Sequence, residues 1–467
     1  MTTPAQPLDC DVLITRATVL TMDDERRILE DGAVAVHGQR IVAVGPSDEL
    51  KARFNPVRAI DASGRVVAPG FIDSHIHSSR HVVGGRPYQR APRAHLLSKG
   101  GQVEAFVAEL SAMHAVHADS ELVHDATMAL LISQIRGGTT AFLDAGGWNV
   151  DGVGAAVQEI GMRATLSPVA CDLTPLPASP DTFPQRIHDA DTLLAEMDAQ
   201  VQRWHGAADG RIQSFASGVW SLNASDELLR GLASIARARG TGMHLHLAGV
   251  ANEAAVSRRW FGLESIPRLA ALDVLGPHFV AMHTYFSSDE DIRLLAESGA
   301  AVNQAPIGSA LVGRGLGAAR SLPRQRAAGI PIGLGSDLGG VAVTMFDVIR
   351  SALTVYRDGA QDDLALGVEE ALWMATRGSA RCLLRGNDLG AIAPGFLADL
   401  IILDVSGARY AVQPHPIPAL GLLASPGDVE TVIVDGQVLL DRGVLTTIDE
   451  ERAIATARQA VRRFLAT

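Results

Sequence analysis

The feature that most constrains the fold is the alternation of short apolar segments with helix-like segments through the central part of the chain. Amphipathic stretches such as residues 225–239 and 287–298 separate the apolar segments. Because parallel strands need a helical crossover between them, this order predicts an α/β fold, a (β/α)8 TIM barrel with its active site at the carboxyl ends of the strands. The eight strand-like segments are residues 66–77, 139–146, 163–170, 214–223, 243–249, 278–285, 300–306 and 330–340.

Both ends of the chain carry a different pattern, in which short alternating segments are broken by Gly, Asp and Pro. Such segments are typical of a β-rich unit. We therefore expect residues 1–66 and 386–445 to form one small composite β-sandwich domain around the barrel of residues 67–385. Residues 446–467 are amphipathic and predict a closing C-terminal helix.

Metal-ligating side chains recur where the predicted strands end. In one barrel these ends meet at one mouth, and imidazoles with a carboxylate suit a divalent ion such as zinc. A buried histidine taken alone is more often a hydrogen-bonded core residue, but the positions together favour a metal centre. They are His75 and His77 on the first strand, His244 and His246 on the fifth, His283 on the sixth and Asp337 on the eighth.

Three longer motifs accompany these residues: APGFIDSHIH at 68–77, GLGSD at 333–337 and a run at 375–404 that ends in GFLADLIILD. With them the chain resembles the amidohydrolase superfamily, in particular the branch of chlorohydrolases, aminohydrolases and deaminases that includes the triazine hydrolases. The resemblance spans nearly the whole chain. It implies the barrel with a composite β-sandwich, one divalent metal ion (zinc, with iron or cobalt as alternatives) and a homo-oligomer, a dimer or larger.

The resemblance also implies roles for individual residues. His75, His77, His246 and Asp337 would be metal ligands, and His283 would either ligate the metal or hold its water. A bound metal lowers the pKa of its water and supplies hydroxide near neutral pH. Asp337 would take the proton of that water and pass it to the leaving group, and His283 would be the second catalytic residue. His244 is interpreted as a barrel-interior residue.

Two positions depart from the pattern of the deaminases in this branch. Gly249 stands where they carry a proton-shuttling glutamate, and Phe286 stands where they carry a second histidine. The nearest acid, Glu253, is interpreted as a solvated helix residue. Because ring deamination needs a proton on a ring nitrogen, these changes favour hydrolysis of a C–N or C–S bond in a small amide, urea, carbamate or thiocarbamate. The altered pair resembles hydrolases of phenylurea and thiocarbamate (molinate) herbicides, which suggests xenobiotic degradation.

Two other functions stay open. One is an aminohydrolase, deaminase or dechlorinase of an N-heterocycle such as a triazine, purine or pterin. The other is a barrel that binds without catalysis. Side chains near the strand ends supply candidate substrate contacts, each with a loop or packing role as its alternative: Arg80, His81, Trp220, Phe286 and Asn303.

Composition restricts the partners and the compartment. The 467 residues carry a net charge of −12, which disfavours nucleic acid because phosphate binding needs a basic face. The three cysteines lie far apart without a CxxC motif, as suits a reducing compartment. We expect no signal peptide in the first residues and no membrane span, since no apolar run reaches membrane-spanning length. We expect a cytoplasmic enzyme that acts on a small molecule, with no nucleic-acid or membrane partner.

Overall fold

The structure, a computed structural model, describes residues 7–83, 116–168, 170–174, 183–311, 313–316, 320–338 and 343–466. Its strands, numbered in chain order, are β1 Leu8–Leu20, β2 Ile28–His37, β3 Arg40–Pro46, β4 Phe54–Asp61, β5 Arg65–Pro69, β6 Phe71–Ile76, β7 Thr139–Asp144, β8 Arg163–Leu166, β9 Ile212–Ser214, β10 Met243–Leu247, β11 Phe279–His283, β12 Ala301–Gln304, β13 Ile332–Leu334, β14 Leu400–Asp404, β15 Val429–Val434, β16 Gln437–Asp441 and β17 Val444–Leu445.

The α-helices within the described residues lie mainly between the strands of the central region and after the last strand. They are Ser47–Arg53, Ser120–Arg136, Val150–Ile160, Ala190–Trp204, Asp226–Arg239, Glu253–Phe261, Ser265–Ala271, Asp289–Ser298, Pro306–Leu311, Ser321–Ala327, Met345–Ala360, Val368–Trp373, Ser379–Cys382, Pro416–Pro418 and Glu450–Ala466. In the part of the chain that the structure describes, no helix is both long and apolar enough to cross a membrane.

Strands β6 to β13 form the parallel core of the central region. They make two four-stranded sheets, in the orders β6-β7-β8-β9 and β10-β11-β12-β13. Backbone hydrogen bonds link the sheets at both seams: the His246 N–H donates to the Val219 carbonyl at 3.0 Å, and the Asp337 N–H donates to the His75 carbonyl at 2.8 Å. The predicted (β/α)8 barrel is confirmed: seven of the eight strand-like segments contain a barrel strand, whereas the fourth begins at Ser214, the last residue of β9.

A nine-stranded sheet joins the two ends of the chain. Its order is β17-β16-β15-β14-β5-β1-β2-β3, with β4 paired to β1. The seam between the ends is the antiparallel pair β5–β14, in which Val67 lies opposite Ile402. Buried apolar side chains from both ends, including Ile14, Val67 and Leu400, form one cluster on this sheet. The composite β-unit predicted from the sequence is therefore present, whereas its residue boundaries stay a prediction.

Helix ends follow the local signals in the sequence. The helix Asp226–Arg239 begins where the Ser225 hydroxyl accepts a hydrogen bond from the Leu228 N–H at 3.2 Å. It ends at Gly240, whose φ of 64° is the left-handed conformation that glycine adopts without a steric penalty. The closing helix expected at residues 446–467 runs from Glu450 to Ala466. The local sequence therefore sets where these helices begin and end.

Candidate metal centre

Four side chains from three barrel strands converge at the mouth of the barrel. His75 and His77 come from the end of β6, His246 from β10 and Asp337 from the segment after β13. One donor atom from each lies within 4.8 Å of every other, and all four residues are buried. Nε2 of His75 and Nε2 of His77 lie 3.2 and 3.3 Å from Oδ1 of Asp337. Three imidazoles and one carboxylate around one point are a donor set for a single divalent ion.

Hydrogen bonds behind two of the imidazoles set the side of each ring that faces the centre. Nδ1 of His75 lies 3.1 Å from Oδ1 of Asn303, and Nδ1 of His246 lies 2.5 Å from the Val219 carbonyl oxygen. In both pairs the ring nitrogen is the donor, so Nε2 keeps a lone pair. Nε2 of His75 is buried and has no hydrogen-bond partner among the described residues. The residues therefore fit a metal ion.

Burial sets the protonation of these groups. It lowers the pKa of His77 to about 3, and the Arg80 charge adds to the effect. Burial and the neighbouring histidines also hold the pKa of His246 well below its usual value. Burial alone would raise the pKa of Asp337, but its interactions with His283, His75 and the Arg314 guanidinium outweigh burial and keep the pKa well below 3.8. Neutral imidazoles and an ionised carboxylate are the forms that bind a metal.

His283 lies beside this cluster at the end of β11. Its Nε2 is 3.8 Å from Oδ2 of Asp337, and its ring centroid is 4.9 Å from that of His75. Nδ1 lies 3.2 Å from the Tyr285 hydroxyl, whose own O–H donates to the Ala305 carbonyl. His283 thus donates from Nδ1 and presents the Nε2 lone pair toward Asp337. The geometry suits a residue that holds water beside the metal.

The backbone is strained at both groups that face the reacting water. His283 has a φ of 76° and Asp337 a φ of 54°, although neither is glycine. Such conformations cost about 1–3 kcal/mol each and persist where the surrounding structure fixes them. At Asp337 the fixing bonds come from the neighbouring strand: Asp73 Oδ1 accepts from the Ser336 N–H at 3.0 Å and from the His75 N–H at 3.2 Å.

The candidate substrate contacts do not share one position. Asn303 is fully buried behind His75, and its Nδ2 also donates to the Ser74 hydroxyl at 2.7 Å. This places Asn303 as a support for a ligand. Trp220 pairs with His246 through an isolated parallel bridge, beside the fifth strand. Phe286, half-buried, lines a small cavity with Ala248.

Arg80 and His81 lie on the short 3-10 helix that follows the first pair of ligands. The Arg80 guanidinium stacks over the Trp148 ring at 5.0 Å, and its Nε is buried without a hydrogen-bond partner among the described residues. Burial lowers the pKa of His81 to about 4. Both are therefore held at the mouth of the barrel, close to His77.

His244 shares a strand with His246 but lies deeper. It has no exposed surface, and its Nε2 is 2.6 Å from the Ser167 hydroxyl. It is not among the four residues whose donor atoms converge. The geometry agrees with its interpretation as a barrel-interior residue.

Glu253 is a correction to the sequence interpretation. It was expected to be solvated, but its residue exposure is 1%. One carboxylate oxygen accepts from the Gly249 N–H at 3.1 Å, and the other accepts from the Ser265 hydroxyl at 2.9 Å. Burial raises the pKa of Glu253 to about 7. The expectation failed because the turn after β10 folds the start of the next helix back beneath residues 248 and 249.

Arg314 is a functional-site residue that the sequence motifs did not reveal. Its Nη1 lies 3.0 Å from Nε2 of His283 and 3.3 Å from Oδ2 of Asp337. It belongs to the segment between β12 and β13, and nothing in that glycine-rich stretch distinguishes it from the other arginines. Only the course of the chain after the seventh barrel strand brings it to the centre.

Comparisons with known proteins agree with this geometry. The amidohydrolase family matches residues 66–439, and the bacterial imidazolonepropionase-like composite domain matches residues 32–54. The chain is 29% identical over 459 residues to 5-methylthioadenosine/S-adenosylhomocysteine deaminase from Pelotomaculum thermopropionicum, covering 97% of this chain and 99% of the relative.

Two zinc-containing crystal structures share the fold. An adenosine deaminase from Xanthomonas campestris superimposes with a TM-score of 0.86 at 24% identity, over 99% of this chain and 100% of that chain. Atrazine chlorohydrolase from Arthrobacter aurescens TC1 superimposes with a TM-score of 0.83 at 24% identity, over 96% of this chain and 100% of that chain. The predicted resemblance, including the chlorohydrolase and aminohydrolase branch, is confirmed. With its His-His-His-Asp metal site and a family match over most of its length, the chain belongs to the amidohydrolase family, as a metal-dependent hydrolase of carbon–nitrogen bonds.

Proposed function

We propose that this amidohydrolase removes the exocyclic amino group of an adenosine-type nucleoside by hydrolysis. The observation that carries the proposal is the full-length similarity to a nucleoside deaminase, at 29% identity with nearly complete coverage of both chains. This similarity favours the heterocycle aminohydrolase, which was the second choice from the sequence, over the hydrolysis of amides, ureas or carbamates.

In this reaction, water adds oxygen to the carbon that carries the amino group, and ammonia leaves as the carbon becomes a carbonyl. His75, His77, His246 and Asp337 would hold a divalent ion, which would supply the activated water. Oδ2 of Asp337, the oxygen on the side of His283, accepts a proton from the water and delivers it to the leaving nitrogen. His283 lies beside the same water, with its Nε2 3.8 Å from Oδ2 of Asp337, and helps to orient the water for attack. Burial of all these groups excludes bulk water and strengthens each interaction.

Gly249 supports a second candidate, hydrolysis of a carbamate, urea or thiocarbamate. Attack on a heteroaromatic ring leaves negative charge on a ring nitrogen, and a side-chain acid at position 249 would protonate that nitrogen. Gly249 supplies none, and Phe286 adds an apolar wall nearby. A carbonyl substrate needs no protonated ring nitrogen, so carbamates, ureas and thiocarbamates are included among the substrates to be assayed.

The proposal also covers the identity of the metal ion and the oligomeric state of the protein. We propose zinc, because three imidazoles with one carboxylate suit it and because the two similar crystal structures contain it. We also propose a homo-oligomer, a dimer or larger. Metal analysis of the purified protein and light scattering during size-exclusion chromatography measure the two properties.

The reaction is tested with zinc-loaded protein and two substrate panels. One contains adenosine, 5′-deoxyadenosine, 5-methylthioadenosine and S-adenosylhomocysteine, and the other contains phenylureas, carbamates and thiocarbamates. We expect ammonia release from at least one nucleoside. Asp337→Asn protein purified in parallel is the control for contaminating deaminases. Turnover of the carbonyl panel alone would replace the proposed function with the second candidate.

A further inference from the structure

Arg314 brings a permanent positive charge to the point where the reaction takes place. Its Nη1 contacts Nε2 of His283 and Oδ2 of Asp337. In the proposed reaction these two groups face the water and the leaving nitrogen. The Arg314 side chain is 20% exposed, whereas that of Asp337 is 8% exposed and that of His283 is 2% exposed. The guanidinium therefore enters the centre from the solvent side, from which a substrate also arrives.

The contact with His283 has a defined direction. Since the Nδ1–H of His283 is used on the Tyr285 hydroxyl, Nε2 is the acceptor and the arginine is the donor. A guanidinium has five N–H donors in one plane. Donating from Nη1 to these two groups leaves N–H groups on the same plane for a third acceptor at the centre.

The local chain favours this placement. Arg314 stands between Gly313 and Gly315, whose φ angles of 70° and 72° are left-handed. A Cβ atom at either glycine would meet no described atom within 4 Å, so conformation rather than crowding accounts for the two glycines. This Gly-Arg-Gly segment lies between the helix Pro306–Leu311 and β13 in the chain.

We propose that Arg314 is a catalytic residue that stabilises the negative charge on the substrate atom next to the attacked carbon. In an aminopurine this atom is a ring nitrogen, and in a carbamate it is the carbonyl oxygen. The residue performs by charge and hydrogen bonding what a carboxylic acid at position 249 would perform by protonation. The identity of the atom rests on the proposed function, whereas the position of the arginine does not.

The proton balance is complete without a proton from the guanidinium, which stays protonated at all physiological pH values. Of the two protons of water, one goes through Asp337 to the leaving amine and departs in ammonia. The other reaches the ring nitrogen, where the product carries it. Arg314 stabilises that nitrogen while it is negative, as donors in an oxyanion hole stabilise oxygen.

The test compares Arg314→Gln with Arg320→Gln, an exposed arginine of the same loop that serves as the control. Removing one such donor typically lowers kcat by about 10²–10³-fold. We expect a loss of that size for Arg314→Gln with KM changed less than kcat, full zinc content, and near-normal kinetics for Arg320→Gln. Added guanidinium ion should restore part of the activity of Arg314→Ala, and Arg314→Lys should retain more activity than Arg314→Gln.

Calorimetry supplies a readout that does not depend on turnover. Two tetrahedral mimics are titrated into zinc-loaded protein: a purine-type nucleoside with a hydroxyl-bearing sp³ carbon, and a phosphonate mimic of carbamate hydrolysis. One of the two mimics should bind the wild type. Arg314→Gln should lower the affinity for that mimic by the same factor by which it lowers kcat. Unchanged affinity, failure of both mimics to bind the wild type, or a kcat within about twofold of the wild type would overturn the assignment. Failure of the proposed function gives a different result. In that case no nucleoside releases ammonia, while Arg314→Gln still lowers kcat on a carbonyl substrate.

Discussion

Replacing Glu253 with Gln should change how stability depends on pH. Burial favours the neutral acid in the folded protein and raises its pKa from an ordinary 4.5 to about 7. The stabilising contribution of Glu253 is therefore complete below about pH 4.5 and is lost as the pH rises through about 7. At about 1.4 kcal/mol for each pH unit between the two values, the loss amounts to about 3 kcal/mol.

Glutamine keeps the shape and the hydrogen bonds of the buried acid without its titration. The glutamine carbonyl oxygen accepts from the Gly249 N–H. The glutamine amide donates to the Ser265 hydroxyl, so this hydroxyl changes from donor to acceptor. Urea unfolding of metal-free wild type and Glu253→Gln, measured from pH 4.5 to 8, isolates the effect. The variant should gain up to about 3 kcal/mol relative to the wild type across this range. Parallel curves would mean that Glu253 titrates as a solvated residue, and the argument from burial would be wrong.

The remaining predictions concern the centre itself. Asp337→Asn should lower kcat by about 10³-fold or more because the proton carrier is lost, and a variant that retains most of its activity would exclude this role. His246→Ala should lose zinc on dialysis, while His244→Gln, changed at the deeper histidine of the same strand, should retain it; equal zinc contents would exclude His246 as a ligand. Gly249→Glu introduces a Cβ 3.1 Å from Cδ2 of His283, so the ring must shift by a few tenths of an ångström. It should nevertheless raise kcat/KM for ammonia release from nucleosides about tenfold, because it supplies an acid for the ring nitrogen, and an unchanged rate and substrate range would refute the importance of this position.

Much of the architecture can be predicted from the sequence because its signals are local. Strand and helix periodicity, read over windows of about ten residues, locates seven of the eight barrel strands and places the fourth too late in the chain, from Ser214 onward. Spacing of two residues on a strand places His75 and His77 on one side, and the strand-end rule for barrels brings them to His246 and Asp337. Four of the five candidate ligands, His75, His77, His246 and Asp337, are the residues whose donor atoms converge, and the fifth, His283, lies beside them.

The burial and the partners of individual polar side chains lie outside the reach of local patterns. Glu253 looks like an ordinary helix-start acid, and only the return of the chain beneath residues 248 and 249 buries it. Asn303 looks like a substrate contact, but its strand places it behind His75. Sequence separation explains Asn303, which lies 228 residues from His75. Glu253 contacts Gly249, only four residues away, and there the path of the turn decides the burial.

By itself, the sequence determined the barrel, the composite sheet and the metal-binding set, because each depends on periodicity or on fixed spacing along strands. Only the tertiary structure decided what surrounds the metal set. It placed the Arg314 guanidinium against His283 and Asp337 across 31 and 23 residues of chain. It also determined that Gly249 faces His283 while Glu253 is buried beneath the turn. A side chain on a loop acquires its electrostatic environment from residues that no local pattern connects to it.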